Sequence, residues 1–164
     1  MTYNRNLILF MPFIGGGGVE KNLFIIANHL SAKFQKIKIC TLSRNKLSNF
    51  NKNIKYLGPS KNFYEKLHIR LKYLICLVIL FKFLIKNKNS TVLSFQANIY
   101  CIIVCKLLNI NIIVRSNSSP SGWSHNTIKE IIYKYLISKA DCVIVNSIEF
   151  KKQMENKFNI KVNC

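Results

Sequence analysis

Acidic residues are scarce in this chain of 164 residues: six Asp and Glu stand against 25 Lys and Arg, which gives a formal net charge of +19. A charge of this size suits a nucleic acid, an anionic membrane surface or an anionic small substrate as partner. A coding bias toward Lys, Asn and Ile would produce the same charge without any function. The net charge alone therefore does not choose among these classes of protein.

Paired metal-ligand motifs are also missing. The six cysteines form no CxxC pair and no Cys/His set with ligand spacing, so we expect no metal. Most of these cysteines stand in apolar runs, and unpaired buried thiols suit a reducing cytoplasm. The N-terminus lacks a small-residue cleavage site, so its apolar run is predicted as a first strand rather than a signal peptide.

No apolar run reaches the roughly 20 residues that cross a bilayer. The longest candidate, Tyr73–Phe81, has nine residues without a charge, and segment 61–88 around it carries an apolar stripe at helical spacing with many basic residues. Three interpretations stay open: a helix that lies on anionic lipid, a core helix of the sheet, or a spanning helix. Lipid contact is favoured. The candidates for contact with the membrane surface are Lys66, Arg70, Lys72, Lys82 and Lys86.

Short, β-branched apolar runs alternate along the chain with stretches of helical periodicity. Such runs are typical of parallel strands that are covered on both faces. The alternation predicts one α/β domain, a doubly wound, mainly parallel Rossmann-like sheet with helices on both faces. The expected strands are 7–11, 37–42, 54–57, 91–95, 111–115 and 142–146. The expected helices are 19–33, 67–85, a nearly all-apolar buried helix at 96–108, 127–140, and a last one capped by Ser147; residues 43–53 are predicted as a polar surface loop.

Four of the six glycines stand together, from Gly15 to Gly18, between the first strand and the first helix. The first backbone N–H groups of a helix have no internal partner and lie at the positive end of its dipole, so such a turn suits a phosphate. A flexible turn without a ligand is the alternative. Neither familiar phosphate motif fits, because Glu20 or Lys21 stands where the dinucleotide fingerprint needs a small residue, and Asn22 stands where the other motif needs Ser or Thr.

This loop resembles the first loop of family 4 glycosyltransferases, which have two Rossmann-like domains around a cleft, the GT-B architecture. The family pattern is a short Gly-Gly run, a small residue, Glu and a basic residue, and residues 17–21 follow it. The resemblance implies a loop that binds the donor phosphate, formed by Gly15, Gly16, Gly17, Gly18 and Glu20.

Two later segments extend the resemblance. Residues 92–120 are similar to the family's fourth strand, buried helix and fifth strand, and they end in RSNSSP where one branch has Arg-Asn-x-Pro. Residues 140–154 are similar to the family's Ala-Asp, apolar strand, Ser-Glu and basic helix, although Ile148 stands where Glu is common. Ligands of open α/β sheets bind beyond the carboxyl ends of the strands. The acceptor or cleft candidates are therefore Arg115, Ser116, Asn117, Asn146 and Ser147.

Asp141 and His125 are not assigned to the donor-phosphate loop or to the acceptor site. Asp141 precedes the last strand, and we expect it to be structural. Many relatives carry a His at the end of the fifth strand, whereas this sequence has His125 farther along. A solvated His125 is favoured over one that contacts substrate.

The resemblance implies that residues 1–164 are the N-terminal, acceptor-side domain of such an enzyme, and that the C-terminal donor-binding domain with its Glu-x7-Glu motif is absent. The implied reaction is retaining transfer of a sugar from a nucleotide-sugar to a glycan or lipid-linked acceptor in cell-surface polysaccharide or lipopolysaccharide synthesis. No cofactor is implied and no catalytic residue is assigned. By itself, the chain is expected to be inactive.

The expected partners are the nucleotide-sugar donor, the acceptor and an anionic membrane surface. Two interpretations of the absent donor domain stay open: a truncated reading frame, or a split enzyme in which a separate chain that carries the donor domain is a further partner. Nucleic acid is not expected, because no recognised RNA or DNA motif is present. The expected location is cytoplasmic, peripheral on the inner face of the membrane. The alternative is a non-catalytic membrane-surface interaction module left from a truncated glycosyltransferase.

Overall fold

The computed structural model describes residues 3–60, 62–117 and 127–163. In this part of the chain, strands alternate with helices. The strands are β1 (Tyr3–Phe10), β2 (Phe34–Cys40), β3 (Ile54–Leu57), β4 (Ser90–Ser94), β5 (Asn111–Ser116) and β6 (Cys142–Val145). The α-helices are α1 (Gly18–Ser31), α2 (Ile69–Lys86), α3 (Asn98–Leu107), α4 (Thr127–Ser138) and α5 (Ile148–Phe158), and 3₁₀ helices cover Arg44–Asn49 and Asn62–Lys66.

The six strands form one sheet in the order β3-β2-β1-β4-β5-β6, and every pair is parallel. The strand order reverses between β1 and β4, which pair side by side. This arrangement confirms the predicted doubly wound, Rossmann-like α/β sheet. Beyond α5, the chain returns to the edge strand β6, where Asn163 forms a parallel bridge with Ile144.

Alternate side chains of β1 supply two separate hydrophobic cores, because successive residues of a strand point to opposite faces. Ile8 and Phe10 lie in the core that α2, α3 and α5 cover, and Leu9 lies in the core that α1 covers with Leu23. Since both faces of the strand are buried, β1 is apolar along most of its length.

Most elements lie within a few residues of their predicted bounds, and β3 matches residue for residue. Ser147 caps α5 as predicted, because its hydroxyl accepts a 3.2 Å hydrogen bond from the backbone N–H of Phe150. The prediction of a polar surface loop at 43–53 needs correction. The segment contains a 3₁₀ helix, and its buried Phe50 packs edge-to-face on Phe24.

The helix predicted to be buried nearly all round is instead half-buried. Cys101 and Ile102 of α3 lie in the core, whereas Tyr100 and Leu107 are exposed, Leu107 by 75%. In α4, Ile137 is buried, but Ile128 and three further apolar residues of the same helix are exposed. The sequence did not predict that apolar residues of these two helices are exposed to solvent.

The apolar stripe of α2 faces outward. Its residues are all exposed, with Leu74 at 59%, while Cys76, Leu80 and Leu84 of the opposite face lie in the core. The exposed stripe consists of Leu71, Leu74, Val78, Phe81 and Ile85. Among the described residues, no helix is both long enough and apolar enough to cross a bilayer.

Asp141 ties three elements together, as its predicted structural role requires. Its carboxylate accepts hydrogen bonds from Nζ of Lys106 at 2.8 Å and from the backbone N–H of Ile112 at 2.7 Å. Partial burial alone would raise the pKa of Asp141, but these hydrogen bonds and the charge of Lys106 outweigh it and lower the pKa.

Candidate functional site

The predicted site residues lie at the carboxyl-end edge of the sheet. The glycine loop follows β1, residues 95–97 follow β4, Asn117 follows β5, and Asn146 follows β6. Because β1 and β4 are neighbours while α1 and α3 pack on opposite faces, this edge contains the topological switch point. In open α/β sheets, ligands bind at such a point.

The glycine loop is open to solvent at Gly16, Gly17 and Gly18. None of the glycines has a positive φ, so backbone conformation does not require them. A Cβ at Gly16 or Gly18 would meet nothing within 4 Å, whereas one at Gly15 or Gly17 would lie 3.2 or 3.0 Å from the Glu20 carboxylate. The loop therefore leaves its backbone accessible at its middle and makes room for Glu20 beneath it.

Glu20 occupies part of the position that an anion would take. Glu20 lies in the first turn of α1, and its Oε1 accepts a 3.2 Å hydrogen bond from the backbone N–H of Gly15. The carboxylate thereby complements the positive end of the helix dipole. A phosphate bound at Gly15 would have to displace Glu20, so the accessible phosphate positions are at Gly16 to Gly18.

A buried cation lies at the end of β5. Arg115 is 8% exposed, its Nη2 donates a 2.7 Å hydrogen bond to Oδ1 of Asn146, and its guanidinium lies 5.6 Å from the centroid of the Phe95 ring. Burial lowers the pKa of Arg115, yet a guanidinium stays charged at neutral pH. Its Nη1 is buried and has no hydrogen-bond partner in the described part of the chain.

Asparagine side chains join the ends of β4 and β5. Asn98 donates to the backbone carbonyl of Arg115 at 3.0 Å, and Asn117 donates to the carbonyl of Phe95 at 3.1 Å. The Oδ1 of Asn117 is buried without a partner among the described residues. Ala97, between these strands, has φ of 53°, a left-handed conformation that costs about 1–2 kcal/mol for a non-glycine residue. Such local strain is common at functional sites.

A cavity of about 840 Å³ opens at this switch point. It brings together Glu20, Arg115, Ser116 and Asn117 of the predicted site, whereas the four glycines, Asn146 and Ser147 do not line it. Ser147 uses its hydroxyl as the cap of α5. The remaining lining residues, which sequence reasoning missed, are Val19, Phe95, Gln96, Ala97, Asn98, Ile99, Tyr100, Ile103, Lys129, Ile132, Tyr133, Leu136 and Ile137.

The predicted membrane-surface residues divide into two groups. Lys66, Arg70, Lys82 and Lys86 are exposed. The prediction that Lys72 contacts the membrane surface needs correction. Lys72 is 6% exposed, and its Nζ lies 4.5 Å from the centroid of the Phe13 ring, next to the glycine loop. His125, by contrast, lies outside the described residues.

No group of three or more His, Cys, Asp and Glu that could hold a metal occurs among the described residues. The described cysteines are free, and Cys40, Cys76, Cys101 and Cys105 are buried. A hydrogen bond that the Cys40 thiol donates to Cys76, together with burial, keeps the pKa of that thiol above its ordinary value. Thiols of this kind are inert packing groups.

Solved glycosyltransferases share this fold. HepE from Anabaena, in complex with UDP, aligns with a TM-score of 0.64 at 13% sequence identity, over 95% of this chain and 42% of that chain. A UDP-glucosyltransferase from Polygonum tinctorium aligns with a TM-score of 0.56 at 14% identity, over 99% and 52% of the two chains. A UGT transferase from Siraitia grosvenorii, in complex with UDP, aligns with a TM-score of 0.58 at 12% identity, over 94% and 48%.

These likenesses establish the fold, which is that of the Rossmann-like domains of GT-B glycosyltransferases. The chain spans about half the length of the structures that it matches. No protein-family profile matches the sequence, and no curated protein matches it.

Proposed function

We propose that this chain is the N-terminal, acceptor-side domain of a retaining family 4 glycosyltransferase that uses a nucleotide-sugar donor. The cavity at the switch point carries the proposal, because it places the buried charge of Arg115 at the strand ends of a glycosyltransferase fold. Two structural neighbours were solved with UDP, which supports a UDP-sugar as the donor. The acceptor is a glycan or a lipid-linked glycan in cell-surface polysaccharide or lipopolysaccharide synthesis.

In the proposed reaction, the bond from the anomeric carbon to the leaving diphosphate breaks and a bond to the acceptor oxygen forms. Negative charge develops on the diphosphate, and groups that stabilise it lower the barrier. This chain contributes the backbone N–H groups of Gly16–Gly18 at the positive end of α1. Arg115 and Asn117, which line the cavity, orient the acceptor.

In this proposal, a second α/β domain holds the nucleotide. The neighbours are about twice as long as the aligned region, which leaves room in them for such a domain. The donor domain is expected to carry two glutamates at Glu-x7-Glu spacing and further cations for the diphosphate.

The test begins with the coding DNA, where a frame for a donor domain with Glu-x7-Glu is sought. This chain together with the donor domain should transfer radiolabelled sugar from a UDP-sugar to a membrane fraction, and this chain alone should not. Arg115→Gln should lower kcat/KM about 10- to 100-fold, since a hydrogen bond to a charged group is lost. Arg5→Gln, exposed at the opposite end of β1, is the matched control.

Absence of transfer with every UDP-sugar tested would refute the proposed activity. Equal rates for the Arg115 and Arg5 variants would instead refute the placement of the acceptor site. A non-catalytic membrane-surface module is less well supported. Contact with a membrane surface does not require a buried cation in a cavity of about 840 Å³ at the switch point.

The proposed location is the inner face of the membrane, with α2 resting on anionic lipid. Its outward stripe exposes five apolar side chains, and Lys82 and Lys86 lie beside that stripe. No acidic residue occurs in α2. An apolar face with basic flanks suits a helix that lies in the interface of an anionic membrane.

A further inference from the structure

The cavity at the switch point continues to the protein surface between α3 and α4. The α3–α4 groove is the part of the cavity walled by Tyr100 and Ile103 of α3 and by Ile132 and Leu136 of α4. Ile103 is 39% exposed and Ile132 is 48% exposed, although both line the cavity. Apolar side chains therefore line the cavity where it is open to solvent as well as near the strand ends.

The inner end of the groove is polar and positively charged. Arg115 lies there with its Nη1 buried and unpartnered, and Asn117 lies beside it. The charged side chains that line the whole cavity are Arg115, Lys129 and the Glu20 carboxylate, and among them Arg115 is the buried cation. A buried charge without a counter-ion is unfavourable, and an anionic ligand would relieve it.

We propose that the α3–α4 groove binds a phosphate-bearing lipid, with the phosphate at the guanidinium of Arg115 and a hydrocarbon chain between the two helices. A cavity of about 840 Å³ falls within the range of about 300–1,000 Å³ that suits a ligand of this size. Neither a free phosphate nor a bare sugar would use the apolar walls. This inference deepens the proposed function and rests on it for one point: the lipid phosphate is the anchor of the sugar acceptor.

Alkyl phosphates provide the test, because they carry both parts of the ligand. Hexyl, octyl and decyl phosphate, each below its aggregation concentration, are titrated into the purified chain by isothermal calorimetry. Affinity should rise about fourfold per added methylene, the effect of burying one methylene, until the groove is full. Inorganic phosphate and decanol should each bind at least about tenfold more weakly than decyl phosphate.

Two tryptophan variants on the same helix locate the binding. Ile103→Trp fills the groove and should weaken decyl phosphate binding about tenfold or more, since it displaces the chain. Leu107→Trp, one turn farther along α3 and outside the cavity lining, should leave affinity within about twofold. Circular dichroism checks that both variants fold.

Equal affinities of the two tryptophan variants would overturn the groove assignment, and so would inorganic phosphate that binds as tightly as decyl phosphate. Failure of the transferase proposal looks different. Selective decyl phosphate binding that Ile103→Trp abolishes, without any sugar transfer, would uphold the lipid phosphate site and reject the activity. Transfer to a water-soluble glycan without alkyl phosphate binding would do the reverse.

Discussion

Arg115 and Asn146 join two strand ends through one hydrogen bond: Nη2 of the arginine donates to Oδ1 of the asparagine at 2.7 Å. The residues belong to the neighbouring strand ends of β5 and β6, 31 positions apart in the sequence. The bond holds the guanidinium in one orientation, and Nη1 stays buried without a hydrogen-bond partner in the described part of the chain.

Asn146→Asp should weaken the binding of decyl phosphate about tenfold, because the new carboxylate pairs with Arg115 and neutralises the charge that the phosphate needs. The free energy of unfolding should stay the same or rise by less than about 1 kcal/mol, since Asn146 is exposed. Calorimetric titration and urea denaturation measure the two effects. Asn146→Ala, which adds no charge, should keep affinity within about threefold; unchanged affinity in the aspartate variant would remove Arg115 as the phosphate partner.

Asp141→Asn should lower the free energy of unfolding by about 1 kcal/mol at pH 7, because a charged hydrogen bond from Lys106 is lost from a partly exposed site. The pKa of Asp141 is lowered in the folded state. Its contribution is therefore present above the unfolded pKa of about 3.9 and is lost as pH falls through the folded pKa. Urea denaturation of wild type and variant between pH 7 and pH 3 should show the difference shrinking in acid.

Glu149→Gln, which removes an exposed carboxylate of α5, controls for the change in net charge. A difference between wild type and Asp141→Asn that stays constant down to pH 3 would show that the carboxylate contributes through packing rather than charge.

The Leu74→Asp, Val78→Asp double variant should lose binding to vesicles that contain anionic lipid, because it places two carboxylates on the outward stripe of α2. Co-sedimentation with such vesicles measures the effect, and about a tenfold loss is expected. Ile25→Asp is the control, because Ile25 is also an exposed apolar residue but lies on α1, on the other side of the sheet. Lys72→Met should also bind normally, since Lys72 is buried. Equal losses in all three variants would contradict lipid contact through the stripe.

Gly16→Ala should change the free energy of unfolding by no more than about 1 kcal/mol, since its Cβ would meet nothing within 4 Å and φ is not positive. With the donor domain supplied, kcat/KM for sugar transfer should fall about tenfold, because the methyl group stands between the backbone and the donor phosphate. Urea denaturation and the transfer assay separate these effects. Unchanged transfer would favour the flexible turn without a ligand.

The sheet was predictable because each of its central strands is a short apolar run that is buried on both faces. Which face of α2 is buried was not predictable. That helix is apolar on most sides, so the outward stripe around Leu74 and the inward face around Leu80 have similar composition. Packing against β2 and α3 determined which of the two faces is buried, and Lys72 lies on the buried side.

The site was predictable only in part, for a related reason. Sequence position places Arg115 and Asn146 at strand ends, but their contact depends on β5 and β6 being neighbours. The walls of the cavity come from α3 and α4, whose apolar residues at Ile103 and Ile132 look like ordinary core positions in the sequence. The glycine loop was found easily, because four consecutive glycines are conspicuous.

The return of the chain to β6 has a consequence for solubility. Asn163 accepts a hydrogen bond from the N–H of Val145 at 2.9 Å and donates one to the carbonyl of Val143 at 2.8 Å. These bonds occupy backbone groups at the outer edge of the sheet, which in a bare edge strand would be free to pair with another molecule. The short extended segment at Asn163 thereby protects β6 against strand addition. The protein therefore resists edge-to-edge aggregation at the β6 edge of the sheet, the edge nearest Arg115.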